Sequence, residues 1–328
     1  MFQKSWLGYV FMDAEASFFD TEIELTDGVL LRKASVQELN HHFDFHLERW
    51  WNLRGGTISN TFGRTITEGV HVKSIPNRSD WNHLVVECTN KKINFWTINQ
   101  VFSMSKADLR MGYISIDDNG GSNPWSNWSK LGMWIENDLF TNSPQIKMDD
   151  IDDLKLNIGS FSTLDLNSDL IQKHLRLLNM FNHLDTMVDS CPFKYLGYFS
   201  IIEGLLTHKP NSSDNVDSIQ KQLIRNVHLV NNRIISSGRK GINYGIFNGV
   251  KLKTVYSKLY SLRSAIAHGS DYSKSIEEIL KLNGSKLDTY NASRPLFYWI
   301  KDLVKLVLMY SFVEPQLYFD LTSDVNKW

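Results

Sequence analysis

From Val250 to His268 the apolar residues Val250, Leu252, Val255, Leu259, Leu262, Ile266 and Ala267 return at steps of mostly three and four. That is the period of a helix with one buried face. Gly269 follows the last periodic residue, where a left-handed cap is expected, and Ser270, Asp271 and Ser273 suit a turn and the cap of a next helix. The same period runs upstream. Asn167-Ser-Asp169 caps a predicted helix reaching about residue 188, with Leu170, Ile171, Leu175, Leu178, Phe181 and Leu184 facing inward. Pro192 suits the first turn of a second helix, 192–207, which carries Tyr195, Phe199, Ile202, Glu203 and Leu206. A third is predicted over 216–235, with Arg225, His228 and Arg233 on its polar parts. A last one, 295–313, presents Leu296, Trp299, Ile300, Leu303, Val304, Val307 and Leu308.

Before residue 160 the texture is different. Short runs rich in β-branched and aromatic residues alternate with Gly, Pro, Asn and Asp. Asp27-Gly28 separates two alternating runs and predicts a hairpin. Residues 57–64, 70–75, 83–89 and 92–101 read as further strands, and 35–51, with Trp50 and Trp51, as a helix or a strand. The acidic run Asp149-Asp-Ile-Asp-Asp153 lacks the glycine and closing glutamate of a calcium loop and reads as a solvated connector. The predicted class is α+β: an antiparallel β-rich sensing or regulatory domain over 1–160, sheet or sandwich, followed by an all-α domain over 165–328.

Length and charge narrow the possibilities. A chain of 328 residues has room for two cores, and a formal net charge of −1 gives no global attraction to nucleic acid. Any positive field must be local. Two cysteines, Cys88 and Cys191, imply neither a disulfide framework nor a cysteine zinc site. The opening apolar run ends at Asp13 and Glu15, too soon for a signal peptide or a membrane span, so a cytoplasmic protein is expected.

Three places deserve a chemical reading. His41, His42 and His46, with Glu48, are the one histidine cluster to weigh as a metal site; no second pair or cysteine closes the set, and no metal or other cofactor is expected. The run 119–128, Asn-Gly-Gly-Ser-Asn-Pro-Trp-Ser-Asn-Trp, lacks the lysine and following helix of a phosphate cradle. Its Trp125 and Trp128, with Trp6, Trp81, Trp96 and Trp134, are β-domain core or base-stacking candidates. The third place is the motif helix, where Arg263 and His268 sit beside the apolar seam, with Ser264 next to the arginine and Tyr260 one turn before it. Arginine offers a permanent fork-shaped cation for phosphate, and histidine exchanges a proton near neutral pH. Together they suffice for cleaving RNA without a metal. The imidazole assists the 2′-hydroxyl or protonates the leaving oxygen, and the guanidinium stabilises charge on the phosphoryl oxygens. Five residues turn an ideal helix by roughly 140°, so the two side chains do not share a face. Two copies about a two-fold axis would pool them in one cleft, which predicts a homodimer. The bland alternative is that both are simply cations favoured near a helix C-terminus.

Arg263-Ser-Ala-Ile-Ala-His268-Gly269 resembles the R-x-x-x-x-H signature of HEPN-domain proteins, and 193–206, Phe-Lys-Tyr-Leu-Gly-Tyr-Phe-Ser-Ile-Ile-Glu-Gly-Leu-Leu, is similar to the Apea-like branch. The resemblance covers about half the chain, 165–315. It implies a dimerising helical domain and a metal-independent endoribonuclease site on Arg263 and His268, with Glu203 as a partner for the arginine. It also implies employment as a toxin or antiviral effector, with a phage-derived trigger or an antitoxin as possible partners. Arg239 and Lys240, in the glycine-bearing loop before the motif helix, are candidate RNA-backbone contacts. The rival expectation is a non-catalytic dimeric binding or scaffold protein.

Overall fold

The computed structural model describes residues 6–13, 22–38, 57–59, 65–68, 71–74, 83–90, 93–106, 111–115, 146–187, 191–208, 218–247, 249–282 and 289–323. The chain is α+β and divides into two compact units, Met1–Ser162 and Thr163–Trp328. No helix among the described residues is long and apolar enough to cross a membrane.

The first unit contains an antiparallel sheet built from β1 (Trp6–Asp13), β2 (Ile23–Thr26), β3 (Val29–Lys33), β7 (His83–Cys88) and β8 (Met111–Ser115), in the order β2-β3-β7-β1-β8. A separate antiparallel ladder joins β4 (Thr57–Ser59), β5 (Thr65–Glu68) and β6 (His71–Ser74). The predicted hairpin is β2–β3: Gly28 has φ 69°, which a side chain would disfavour, and a Cβ there would lie 2.9 Å from Asn90. Leu84, Val85, Val86 and Cys88 are all buried, so β7 is covered on both faces. Trp6 is core, its ring edge-on to Phe95 and its indole N–H donating to the Ile93 carbonyl at 3.1 Å. Trp96 is partly exposed against Phe161. His41, His42, His46, Glu48, Trp50, Trp51, Trp81, Trp125, Trp128 and Trp134 lie outside the described residues; of the 35–51 stretch, residues 36–38 are helical.

Two expectations for this unit are corrected. Residues 92–101 do not form a strand: α1 (Phe95–Met104) begins after Asn94, whose side chain accepts from the Thr97 N–H at 2.8 Å. Ile98, Val101 and Phe102 then recur at helical spacing and are fully buried, and packing overrides their β propensity. The acidic run 149–153 is not a connector. It opens α2 (Met148–Ser162), where Ile151, Leu154, Ile158 and Phe161 form a buried stripe. Acidic residues suit the positive start of a helix, and Asp150 accepts from the Lys147 N–H at 3.0 Å.

The regular elements described in the second unit are all helices: α3 (Asp169–Asp185), α4 (Pro192–Leu206), α5 (Ile219–Ser236), a 3-10 turn at Gly245–Phe247, α6 (Leu252–Ala267), α7 (Ser273–Leu282), α8 (Thr289–Val313) and α9 (Pro315–Thr322). Ser168 caps α3, and Pro192 stands at the start of α4. α4 is buried nearly all round and packs against α3, α5, α6, α8 and α9. A helix apolar on every side belongs at the centre of a bundle. Phe181 stacks on Tyr198 with ring centroids 5.8 Å apart, and Tyr195 on Phe199 at 5.9 Å. The last predicted helix starts earlier than Pro295, at Thr289, and α9 was not anticipated; Pro315 occupies its first turn and Tyr318 is its buried anchor.

Candidate active site

α4 and α6 run parallel, as three contacts that advance in the same direction along both helices show. The Tyr195 hydroxyl donates to the Leu259 carbonyl at 2.9 Å, the Phe199 ring meets Tyr260 edge-on at 6.1 Å, and Arg263 Nη2 lies 3.2 Å from Glu203 Oε2. Val255, Tyr256, Leu259, Leu262 and Ile266 form the buried seam of α6, which leaves Tyr260, Arg263 and Ser264 half-buried on its flank.

The arginine is therefore held from two sides. Its guanidinium carbon lies 5.8 Å from the Tyr260 ring centroid, while Glu203 supplies the counter-charge. Side-chain exposure is 28% for Arg263 and 15% for Glu203, so water screens this pair less than a surface one. Satisfaction is incomplete, because Arg263 Nε and Glu203 Oε1 are buried without hydrogen-bond partners. Burial pushes the Glu203 carboxyl above its ordinary range, against the pull of Arg263. Unpaired buried polar atoms are uncommon in folded proteins.

His268 occupies the C-cap of α6, exposed, with its N–H donating to the Ser264 carbonyl at 3.0 Å. Gly269 follows at φ 65°, and the N–H of Ser270 reaches back to the Ala265 carbonyl at 2.9 Å while that of Gly269 reaches Ile266 at 3.2 Å. This double closure is a Schellman cap, which ends the helix sharply and presents the imidazole at its tip. Asp271 then accepts from the Ser273 N–H at 3.0 Å to start α7. Five residues of helix carry His268 roughly 7.5 Å along the axis and roughly 140° around it from Arg263. Among the described residues, no hydrogen bond or ion pair joins its imidazole to Arg263, Glu203 or Tyr260.

The fold thus assembles Glu203, Tyr260 and Arg263, keeps Ser264 beside them, and sets His268 apart at the helix end. Arg239 and Lys240 lie elsewhere. Their loop closes α5 through Gly238 at φ 81° and the Arg239 N–H to Ile234 carbonyl bond of 3.2 Å. The loop then docks on the first half of α6, where the Tyr244 and Tyr256 hydroxyls meet at 3.0 Å. Tyr256 precedes His268 by roughly 18 Å of helix rise.

His208 is a histidine that sequence patterns did not single out. It lies two residues beyond the end of α4, past Thr207, whose extended backbone closes the helix. Its N–H is clamped to the buried Gln222 side chain at 2.9 Å. Among the described residues no group of three or more His, Cys, Asp or Glu side chains is arranged to hold a metal ion. Comparison with protein-family models, curated proteins and solved structures gives no match.

Proposed function

We propose that the chain is a metal-independent endoribonuclease of HEPN type, with Arg263 and His268 as its catalytic residues and Glu203, Tyr260 and Ser264 in support. The observation that carries this reading is a half-buried arginine, held by Glu203 and Tyr260, on the same helix as an exposed histidine at a glycine-capped tip. The 2′-oxygen of the substrate ribose attacks the adjacent phosphorus, the bond to the 5′-oxygen breaks, and a 2′,3′-cyclic phosphate and a 5′-hydroxyl result. His268 exchanges the proton, and the guanidinium stabilises the charge that grows on the phosphoryl oxygens. Because the two side chains diverge around the helix, the working cleft pools them from two copies of α6 in a homodimer. RNA degradation of this kind suits an antiviral or toxin role, released by a phage-derived trigger or the loss of an antitoxin.

The test is incubation of purified wild-type and His268→Ala protein with total RNA and tRNA in EDTA. Cleavage by the wild type alone, with identical melting of the two proteins, is the expected result. Equal cleavage by the variant would remove His268 from the chemistry. Cleavage by neither, with or without lysate from infected cells, would favour the non-catalytic scaffold.

A further inference from the structure

Charge is distributed unevenly along this nearly neutral chain. Between Asp217 and Asp271 there is no Asp or Glu at all, while the same interval holds nine Lys and Arg residues. That interval is α5, the glycine loop and α6. On α5 the basic residues are not scattered. Lys221, Arg225 and His228, continued by Asn232, are spaced four, three and four apart, which keeps them within roughly 60° of the helix circumference. All four are exposed, while Leu223, Asn226, Val227, Val230 and Ile234 turn inward. The stripe is therefore the solvent face of a firmly packed helix.

Two contacts place one end of the stripe near the candidate site. The Asn226 side chain donates to the Leu206 carbonyl at 2.6 Å, and Gln222 accepts the His208 N–H. Both meet the end of α4, one turn beyond the Glu203 that holds Arg263. From there α5 leads away to the Arg239–Lys240 loop, tied down where Asn231 accepts the Ile242 N–H at 2.7 Å. Carboxylates from elsewhere do reach this part of the molecule. Glu314 approaches Arg233 at 3.7 Å, and Glu278 pairs with Lys258.

We infer that this face of α5, defined by Lys221, Arg225 and His228, is a docking surface for the phosphate backbone of RNA, leading from the loop toward the Glu203–Arg263 site. The inference rests on the nuclease reading for its choice of RNA, and on charge complementarity for the surface itself. Two fixed cations on a rigid helix, with an imidazole and an amide beyond them, meet a polyanion without reading its bases. Lys221 to Asn232 spans roughly 16 Å, which a strand rising about 3.4 Å per nucleotide crosses in about five phosphates. Asn232, 3.4 Å from the His228 ring, adds a neutral donor to the row.

Binding is measured by fluorescence anisotropy of a labelled, mixed-sequence single-stranded RNA in EDTA across a salt series. His268→Ala protein serves as the parent, so that nothing is cut. Lys221→Glu/Arg225→Glu is compared with Lys274→Glu/Lys281→Glu, an equal charge change on the exposed face of α7. The stripe variant is expected to bind at least about tenfold more weakly, with the log–log salt slope reduced by about 1.4, and the α7 variant to stay near the parent. Equal losses in both variants, an undiminished stripe variant, or no RNA binding by the parent would overturn the proposal. So would tighter binding to single-stranded DNA of the same sequence, or capture by anionic vesicles in place of RNA. Circular dichroism confirms that each variant folds. If wild-type protein leaves the same RNA uncut while the stripe effect persists, the nuclease reading falls and the surface stands.

Discussion

Acid should destabilise the helical unit through one buried histidine. His174 on α3 is 1% exposed and faces the edges of Phe312 and Tyr318 at 5.8 and 5.9 Å. Its Nδ1 is buried without a hydrogen-bond partner. Burial first, and then the charge of neighbouring Lys173, push the imidazole down from 6.5 to about 4, while the Ser311 backbone pulls weakly the other way. The unfolded chain keeps the ordinary value, so below about pH 6.5 it binds a proton that the folded state refuses. The stabilising effect of a neutral His174 is whole above that range and lost as pH falls toward the folded value. Linkage puts the loss at about 2 kcal/mol by about pH 5, levelling near 3 kcal/mol below about pH 4. Against a total of about 5–15 kcal/mol this is a large fraction. Urea unfolding of the full chain, followed by helical circular dichroism at about pH 7 and about pH 5, measures it for the wild type and for His174→Leu. Other groups titrate alike in both proteins, so the difference between the two losses isolates residue 174. Parallel losses in wild type and variant would refute the argument.

Three further outcomes follow from contacts already described. Glu203→Ala should cost about 1–2 kcal/mol by leaving a half-buried cation unpaired, and a double-mutant cycle with Arg263→Ala should return a coupling of about 1 kcal/mol in urea unfolding. Zero coupling would mean that the pair adds nothing to stability. Gly269→Ala should cost about 1 kcal/mol of thermal stability from backbone strain alone, since a Cβ there meets no atom within 4 Å. An unchanged melting temperature would argue against the left-handed cap. Phe181→Ala, at a fully buried ring stacked on Tyr198, should cost about 3–5 kcal/mol; a loss under about 1 kcal/mol would show that the core collapses around it.

Much of the helical half was legible because its punctuation is unambiguous. Ser168, Pro192 and Gly269 each occupy the terminal position that their chemistry favours, and the 3.6-residue period between them has no competitor. The hairpin at Asp27-Gly28 was legible for the same reason. Residues 92–101 misled because Ile, Trp, Phe and Val favour strands locally, and the single residue that decides the matter, Asn94, is as common in turns as in caps. At 149–153 the acidic side chains hid a stripe whose period begins at Ile151 and becomes visible only over four turns. Of the candidate site, the residue types were readable, and so was the angular divergence of Arg263 and His268. The parallel pairing of α4 with α6 was not. It depends on Tyr195, Phe199 and Glu203 meeting residues about 60 positions later, which nothing local encodes; of the three meetings only Glu203 with Arg263 was expected, and that from the resemblance.

That parallel pairing also has a consequence in time. Parallel neighbours cannot be joined by a tight turn, so the chain must complete all of α5 and the glycine loop before α6 can lie beside α4. Sixty residues separate Glu203 from Arg263. At about 5–20 residues per second of synthesis, the carboxylate waits about 3–12 s for its arginine. During translation the nascent chain therefore carries neither the ion pair nor a finished helix tip. A chain truncated anywhere before Arg263 would expose the apolar flank of α4 without its partner helix, and would be a substrate for proteases.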